Sequence, residues 1–306
     1  MLPRLLSSTA LALLATGLVN HASPAPASMP TPRLTITHEA RSLQPGELVV
    51  LIIESDTALS TIAVTAFDRT ERVQPLPPSE DRPHAWLALV GIDLDVRPST
   101  HRISVSATAL TGTAAATHTL AVSAKSFPTR KLTVDPGFVN PPATVTARIQ
   151  KEAVILNALW KGTAGPNPAT DLAFVAPVPH KANSAFGTRS VFNGQPRSPH
   201  GGADFLSPAG APIKAPAPGT VVLADDLYYT GGTVVIDHGL GIISLFAHMS
   251  RMDAMVGTTV ARGDVLGLVG ATGRVTGAHL HWTVRVNGSR IDPLSLVAVL
   301  SGNQTR

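Results

Sequence analysis

The stretch TGAHLHWTVRV, residues 276–286, sets two histidines either side of one leucine and runs on into Trp, Thr and Val. Aromatic and β-branched residues alternating with polar ones read as a strand. Residues i and i+2 of a strand share a face, so His279 and His281 present both imidazoles to one surface, about 6.5–7 Å apart along the backbone. That spacing is wide for one metal ion to take both, and suits one ligand with a free base beside it. The chain has 11 histidines, and six fall between His180 and His281. Around the pair, TVVLADD, GTVVIDHG, GIISLFAHM and DVLGLVGAT are predicted strands punctuated by glycine.

Upstream, RSPHGGADFLSP places His200 and Asp204 in an H-x-x-x-D spacing. The two glycines favour a tight turn running into a strand, and such a turn can bring a His and an Asp to one ion. With one histidine of the later pair they make two nitrogens and one oxygen. Three protein ligands leave a fourth tetrahedral position for water, the arrangement of catalytic zinc. Spacing alone does not say which histidine of the pair ligates, and it leaves the role of His248 in LFAHMS open. His238, Asp225, Asp226 and Asp292 read as structural or turn residues and His180 as exposed; Tyr228 and Tyr229 read as cleft lining or as packing.

The rest of the chain supplies context. A length of 306 residues suits two domains, and 26 prolines with 25 glycines favour turn-rich β-structure over a helical bundle. RLTITHEA, ELVVLIIES, STIAVTAF, HAWLALVGIDL, HRISVSATAL and THTLAVSA are predicted strands whose spacing suggests an antiparallel sandwich of immunoglobulin type over residues 31–125. His38, His84, His101 and His118 stand singly there and form no catalytic cluster. Residues 126–180 read as a linker with one helix starting at Asn140, whose stripe Val145, Ile149, Ala153, Leu156 and Trp160 packs it between the domains.

Residues 1–27 have the charged start, apolar run and small-residue end of a secretory signal peptide, so the mature protein is expected in the periplasm or outside the cell with no membrane span. Cysteine is absent, which leaves packed cores or metal rather than disulfides to stabilise an exported chain. The net charge of +4 is scattered, without the basic run of a nucleic-acid binder.

HGGADF, FAHMS and TGAHLHW together resemble the three motifs of lysostaphin-type (LytM-like) zinc metalloendopeptidases of bacterial cell walls. The resemblance runs over roughly residues 181–297 and implies an antiparallel β peptidase domain, bounded here at 181–301. It implies one Zn2+ per chain on His200, Asp204 and His281, with His248 and His279 catalytic. It also implies peptidoglycan peptides as substrate, with D,D-endopeptidase cleavage of cross-links placed first. Phe246 and Ala278 stand where the family often has tyrosine and proline.

Some relatives lost metal ligands and became non-catalytic activators of other wall hydrolases; no ligand position is substituted here. An iron oxygenase also uses two histidines and a carboxylate, but the two additional histidines and the export signal favour hydrolysis. The enzyme is expected to be a monomer. A chain starting near Val178 holds all five site residues and is expected to keep full activity, the sandwich only positioning or shielding the cleft.

Overall fold

A computed structural model describes residues 31–134, 136–162, 171–183 and 185–301. The expected signal peptide, residues 1–27, lies outside the described residues. The protein is mainly β, and its sheets are antiparallel apart from one short parallel pair.

The first eight strands are β1 (Leu34–Ala40), β2 (Leu48–Ser55), β3 (Thr61–Ala66), β4 (Arg69–Glu71), β5 (Val73–Pro75), β6 (Ala85–Gly91), β7 (Ser99–Ala109) and β8 (Gly112–Val122). They form two four-stranded sheets, ordered β1-β2-β6-β5 and β4-β3-β7-β8. All six predicted runs are strands; β4 and β5 are three residues each, too short for periodicity to reveal. Between the sheets lie Val49, Leu51, Ile53, Val64, Val90 and Ile103.

Strands β2 and β6 are buried on their other face as well. Leu48, Val50, Leu87 and Leu89 join one core with Val284, Val286, Ile291 and Leu296 from the far end of the chain. LVVLIIES is therefore a continuous apolar run rather than an alternating one. Polar contacts stitch the same seam. The Leu48 amide donates to Ser295 Oγ at 3.0 Å, and Arg41 bridges Glu47 at 2.8 Å and Asp292 at 2.7 Å. Gly91 lies so close to the far end that a β-carbon there would stand 2.5 Å from Ser289 Cβ. Glu71 is buried here and accepts from Asn287 Nδ2 at 2.6 Å. Burial pushes its carboxyl up to about 8, against the pull of that bond and of Arg69.

The connecting segment holds β9 (Thr129–Leu132), α1 (Pro136–Val139) and α2 (Ala143–Leu159). Of the expected stripe, Val145, Ile149, Leu156 and Trp160 are half-buried but Ala153 is exposed. Glu152 takes its place, accepting the Tyr228 amide at 2.9 Å. Leu156, Leu159 and Trp160 pack on Val235, Ile243, Leu245 and Ala247, so α2 docks on the C-terminal sheet rather than between the two β-units.

The remaining elements are β10 (Arg189–Phe192), β11 (Gln195–Pro196), β12 (Gly202–Phe205), β13 (Pro212–Lys214), β14 (Gly219–Leu227), β15 (Gly231–Asp237), β16 (Ile242–Met252), β17 (Thr259–Val260), β18 (Val265–Val269), β19 (Leu280–Val286), β20 (Ser289–Ile291) and α3 (Pro293–Leu300). Nine of these strands make one sheet, whose main path runs β12-β19-β16-β15-β14-β17. One face buries Ala203, Phe205, Val234, Phe246, Trp282 and Val284 in the large core. The opposite face carries α2 and the candidate site.

Candidate metal centre and cleft

Asp204 pairs with His281 across β12 and β19, and His281 pairs with Ala247 across β19 and β16. Their chain neighbours Ala203, Phe205, Leu280, Trp282 and Phe246 face the core. Alternation therefore turns Asp204, His281 and Ala247 to the other face. The same rule would send His248 after Phe246 into the core. Between the Val234–Phe246 and Gly232–Met249 pairs, however, β16 has two residues where β15 has one. This β-bulge puts His248 on the side of Ala247 and His281. His248 takes a left-handed φ of 66° there, and its amide bonds the Thr230 carbonyl at 2.8 Å.

His279 lies just outside β19, held by a backbone bridge to Gly270. His200 comes from the turn before β12. Gly202 lets these strands close: a β-carbon there would press on the Trp282 carbonyl and stand 2.9 Å from His281 Cε1.

One carboxylate oxygen gathers the group. Asp204 Oδ1 lies 2.8 Å from His281 Nδ1, 3.1 Å from His200 Nε2 and 3.7 Å from His279 Nε2. Ligand atoms of His200, Asp204 and His281 all fall within 4.8 Å of one another. Burial would raise the Asp204 carboxyl, but hydrogen bonds from His200 and His281 outweigh it and hold the group far below the usual carboxylate range. Burial also lowers His281, favouring its neutral, ligating form. Its other nitrogen, Nε2, meets Thr283 Oγ1 at 2.8 Å, which fixes the ring. His200 Nδ1 is buried without a partner among the described residues. Two imidazoles and one ionised carboxylate fit a divalent transition metal with a coordination position to spare.

His248 and His279 flank this group, their ring centroids 4.9 Å apart. His248 Nδ1 faces the Thr272 carbonyl and His279 Nδ1 the Gly277 carbonyl, each at 2.9 Å. A carbonyl only accepts, so the neutral rings carry their proton on Nδ1 and leave Nε2 as an acceptor. Burial, then the charges of His281 and His279, pull His248 down to about 3.

A cleft of about 510 Å³ opens over all five residues. Its wall includes Arg130, Leu132 and Val134 from the connecting segment, with Phe192, Tyr229 and Arg274. Strand β9 lies parallel to β10, and Asn193 exchanges two hydrogen bonds of 3.0 Å with the Val134 backbone. Sequence reading missed this wall, because a four-residue strand pairing with one 60 positions on leaves no periodic signal. Residues from Val178 onward hold all five site residues, as expected, while Arg130, Leu132 and Val134 of the wall precede them.

Among the other candidates, Tyr229 lines the cleft, whereas the Tyr228 hydroxyl bonds the Gly137 carbonyl at 3.2 Å. His238 is buried beside Phe174 and bonds the Pro218 carbonyl. His180 is half-buried rather than exposed, and Asp292 caps α3. Asp225 and Asp226 lie among the last residues of β14, before Leu227, and Asp226 pairs with Arg148 at 3.2 Å. His38 and His118, expected to stand apart, meet at 2.8 Å.

Residues 198–293 match the sequence profile of Peptidase family M23. The DD-carboxypeptidase/endopeptidase Mpg of Neisseria meningitidis is 39% identical over 97 residues, 32% of this chain and 22% of that protein. The peptidoglycan DD-endopeptidase ShyA of Vibrio cholerae is likewise 39% identical over 97 residues, 32% of this chain and 23% of that protein. The chain thus spans less than a quarter of these curated relatives. A crystal structure from Pseudomonas aeruginosa described as a peptidase M23 is similar over far more: 31% identity and a TM-score of 0.63, covering 85% of this chain and 96% of that one. With the site in the profile-matched segment and the likeness extending through both β-units, this chain belongs to peptidase family M23.

Proposed function

We propose that this chain is an exported zinc endopeptidase that hydrolyses peptide cross-links of bacterial peptidoglycan, acting as a D,D-endopeptidase in the periplasm or outside the cell. In this reading residues 31–125 form the sandwich, 126–180 the linker and 181–301 the catalytic domain of a monomer. The observation that carries it is the convergence of His200, Asp204 and His281 on one point of a cleft that His248 and His279 also line. The activity named for Mpg and ShyA supports the choice of bond.

His200 Nε2, Asp204 and His281 Nδ1 are the atoms that would hold the zinc. Bound there, zinc supplies a Lewis acid for the scissile carbonyl and lowers the pKa of water toward ~7. His248 and His279 line the cleft with Nδ1 held by a carbonyl, and through Nε2 they can take the proton of the attacking water and return it to the leaving amine. The imidazolium formed on the way donates a hydrogen bond to the developing oxyanion. Thr283 orients His281, and the Thr272 and Gly277 carbonyls orient the two free histidines.

Mass spectrometry of purified peptidoglycan after incubation, with and without chelator, tests both activity and bond. New D-alanyl ends that disappear with chelator are expected. Intact cross-links, or cleavage only when a second wall hydrolase is added, would replace the enzyme with an activator.

A further inference from the structure

The histidine pair of the N-terminal unit lies outside the cleft, at positions where packing calls for apolar side chains. Along β1, Leu34, Ile36 and Ala40 pack against the core between the two sheets, and along β8 Leu120 and Val122 lie in it. Alternation puts His38 with the first set and His118 with the second. These are end strands of different sheets, so no backbone ladder joins them. They run close together all the same, and the two rings meet across the gap. His38 Nδ1 stands 2.8 Å from His118 Nε2, with the ring centroids 4.9 Å apart and the planes inclined at 65°.

One shared proton accounts for that contact in the metal-free protein. The same two nitrogens are also spaced for an ion. Metal–imidazole bonds of about 2.0–2.1 Å set two nitrogens about 2.9 Å apart at a right angle, against about 3.3 Å at a tetrahedral angle. The observed separation matches the right angle, the preference of Cu2+ and Ni2+. His38 is exposed and His118 half-buried, so water can complete the coordination from the open side. Burial, then the neighbouring His38, lower the His118 pKa and favour the neutral ring that a metal needs.

We infer that His38 and His118 form a metal site apart from the cleft, taking one Cu2+ or Ni2+ ion through His38 Nδ1 and His118 Nε2. The ring that holds the shared proton moves it to its other nitrogen as the ion enters, so both rings stay neutral. Bound there, the ion ties together two strands that share no backbone bond and closes the open edge of the sandwich. The site is independent of the peptidase reading, because His200, Asp204 and His281 belong to the other β-unit.

The test is copper titration of the zinc-loaded full chain, followed by dialysis, metal analysis and electron paramagnetic resonance. The wild type is expected to keep one Cu2+ beyond its zinc, to show two nitrogens in the copper signal, and to melt at a higher temperature with copper present. His38→Gln and His118→Gln should each weaken copper binding by about a hundredfold or more, since losing even an outer partner of a ligand costs about 10- to 100-fold. Their zinc content should not change. His279→Ala, which alters the cleft, should keep the copper.

No copper beyond the zinc, a signal with a single nitrogen, or undiminished uptake in His38→Gln overturns the inference. So does copper that is lost in His279→Ala, which would place the ion in the cleft. Should one of the two Gln variants fail to fold, the other decides alone.

Discussion

At the scale of single residues, the site is organised by one oxygen. Asp204 Oδ1 lies within hydrogen-bonding reach of His281 and His200 and 3.7 Å from His279, so two histidines one residue apart take different places around it. His281 meets the carboxylate through Nδ1 and is braced behind by Thr283; His279 spends Nδ1 on the Gly277 carbonyl. Replacing them should separate binding from chemistry. His281→Ala is expected to lose stoichiometric zinc, measured by metal analysis of the purified protein. His279→Ala is expected to keep it while losing about 10²–10⁴ in kcat, the usual worth of a positioned acid–base group. Zinc retained in the first and lost in the second would reverse the assignment.

At the scale of elements, much was legible because period-2 patterning survives in long strands. The pair in TGAHLHWTVRV points to one surface as the alternation predicts, and Trp282 between them and Thr283 goes to the core. His248 was not legible in the same way. Strict alternation in LFAHMS sends it inward behind Phe246, and only the extra residue of β16 against β15 brings it out. A bulge depends on the partner strand and leaves no mark in one sequence.

Strand β9 was illegible for a related reason, since its partner is distant and its length is four residues. Asn193 is what pins it, from a left-handed φ of 49° at the β10–β11 turn. Asn193→Ala removes two hydrogen bonds, together about 1–3 kcal/mol. It is expected to speed limited proteolysis around residues 129–134 and raise KM, with zinc content unchanged. Unaltered proteolysis would mean that β9 is held by packing alone.

At the scale of the whole molecule, the two β-units share one core, which revises what a shortened chain should do. A chain beginning at Val178 keeps all five site residues but loses Arg130, Leu132 and Val134 from the cleft. It also uncovers the surface on which Leu48, Val50, Leu87 and Leu89 pack. Lower solubility, a lower thermal midpoint and reduced activity are expected, checked by calorimetric melting and the wall-digestion assay. Full activity in a well-folded short chain would restore the simpler division of labour.

The seam also titrates. Glu71 goes from 4.5 to about 8 on folding, so between those values the folded state keeps a proton that the unfolded state has lost. Its contribution to stability is full below the lower value and is lost as pH rises to the upper one, on the order of a few kcal/mol. Denaturant midpoints at about pH 5 and about pH 8.5 should therefore diverge in the wild type, and Glu71→Gln should narrow the gap. An unchanged gap would exclude Glu71 as its source.

The two-sided burial of β2 and β6 also imposes an order in time. Leu48 meets Ser295 across 247 positions, so β2 and β6 are covered on one side only by residues made much later. Until α3 arrives, Leu48, Val50, Leu87 and Leu89 form a sticky surface on a unit whose other face can already close. Contacts at such separation form slowly, because loop entropy is lost before they begin to stabilise the chain. Newly made chains should thus pass through a long-lived, aggregation-prone intermediate, and the first sheet becomes safe only when α3 has folded onto it.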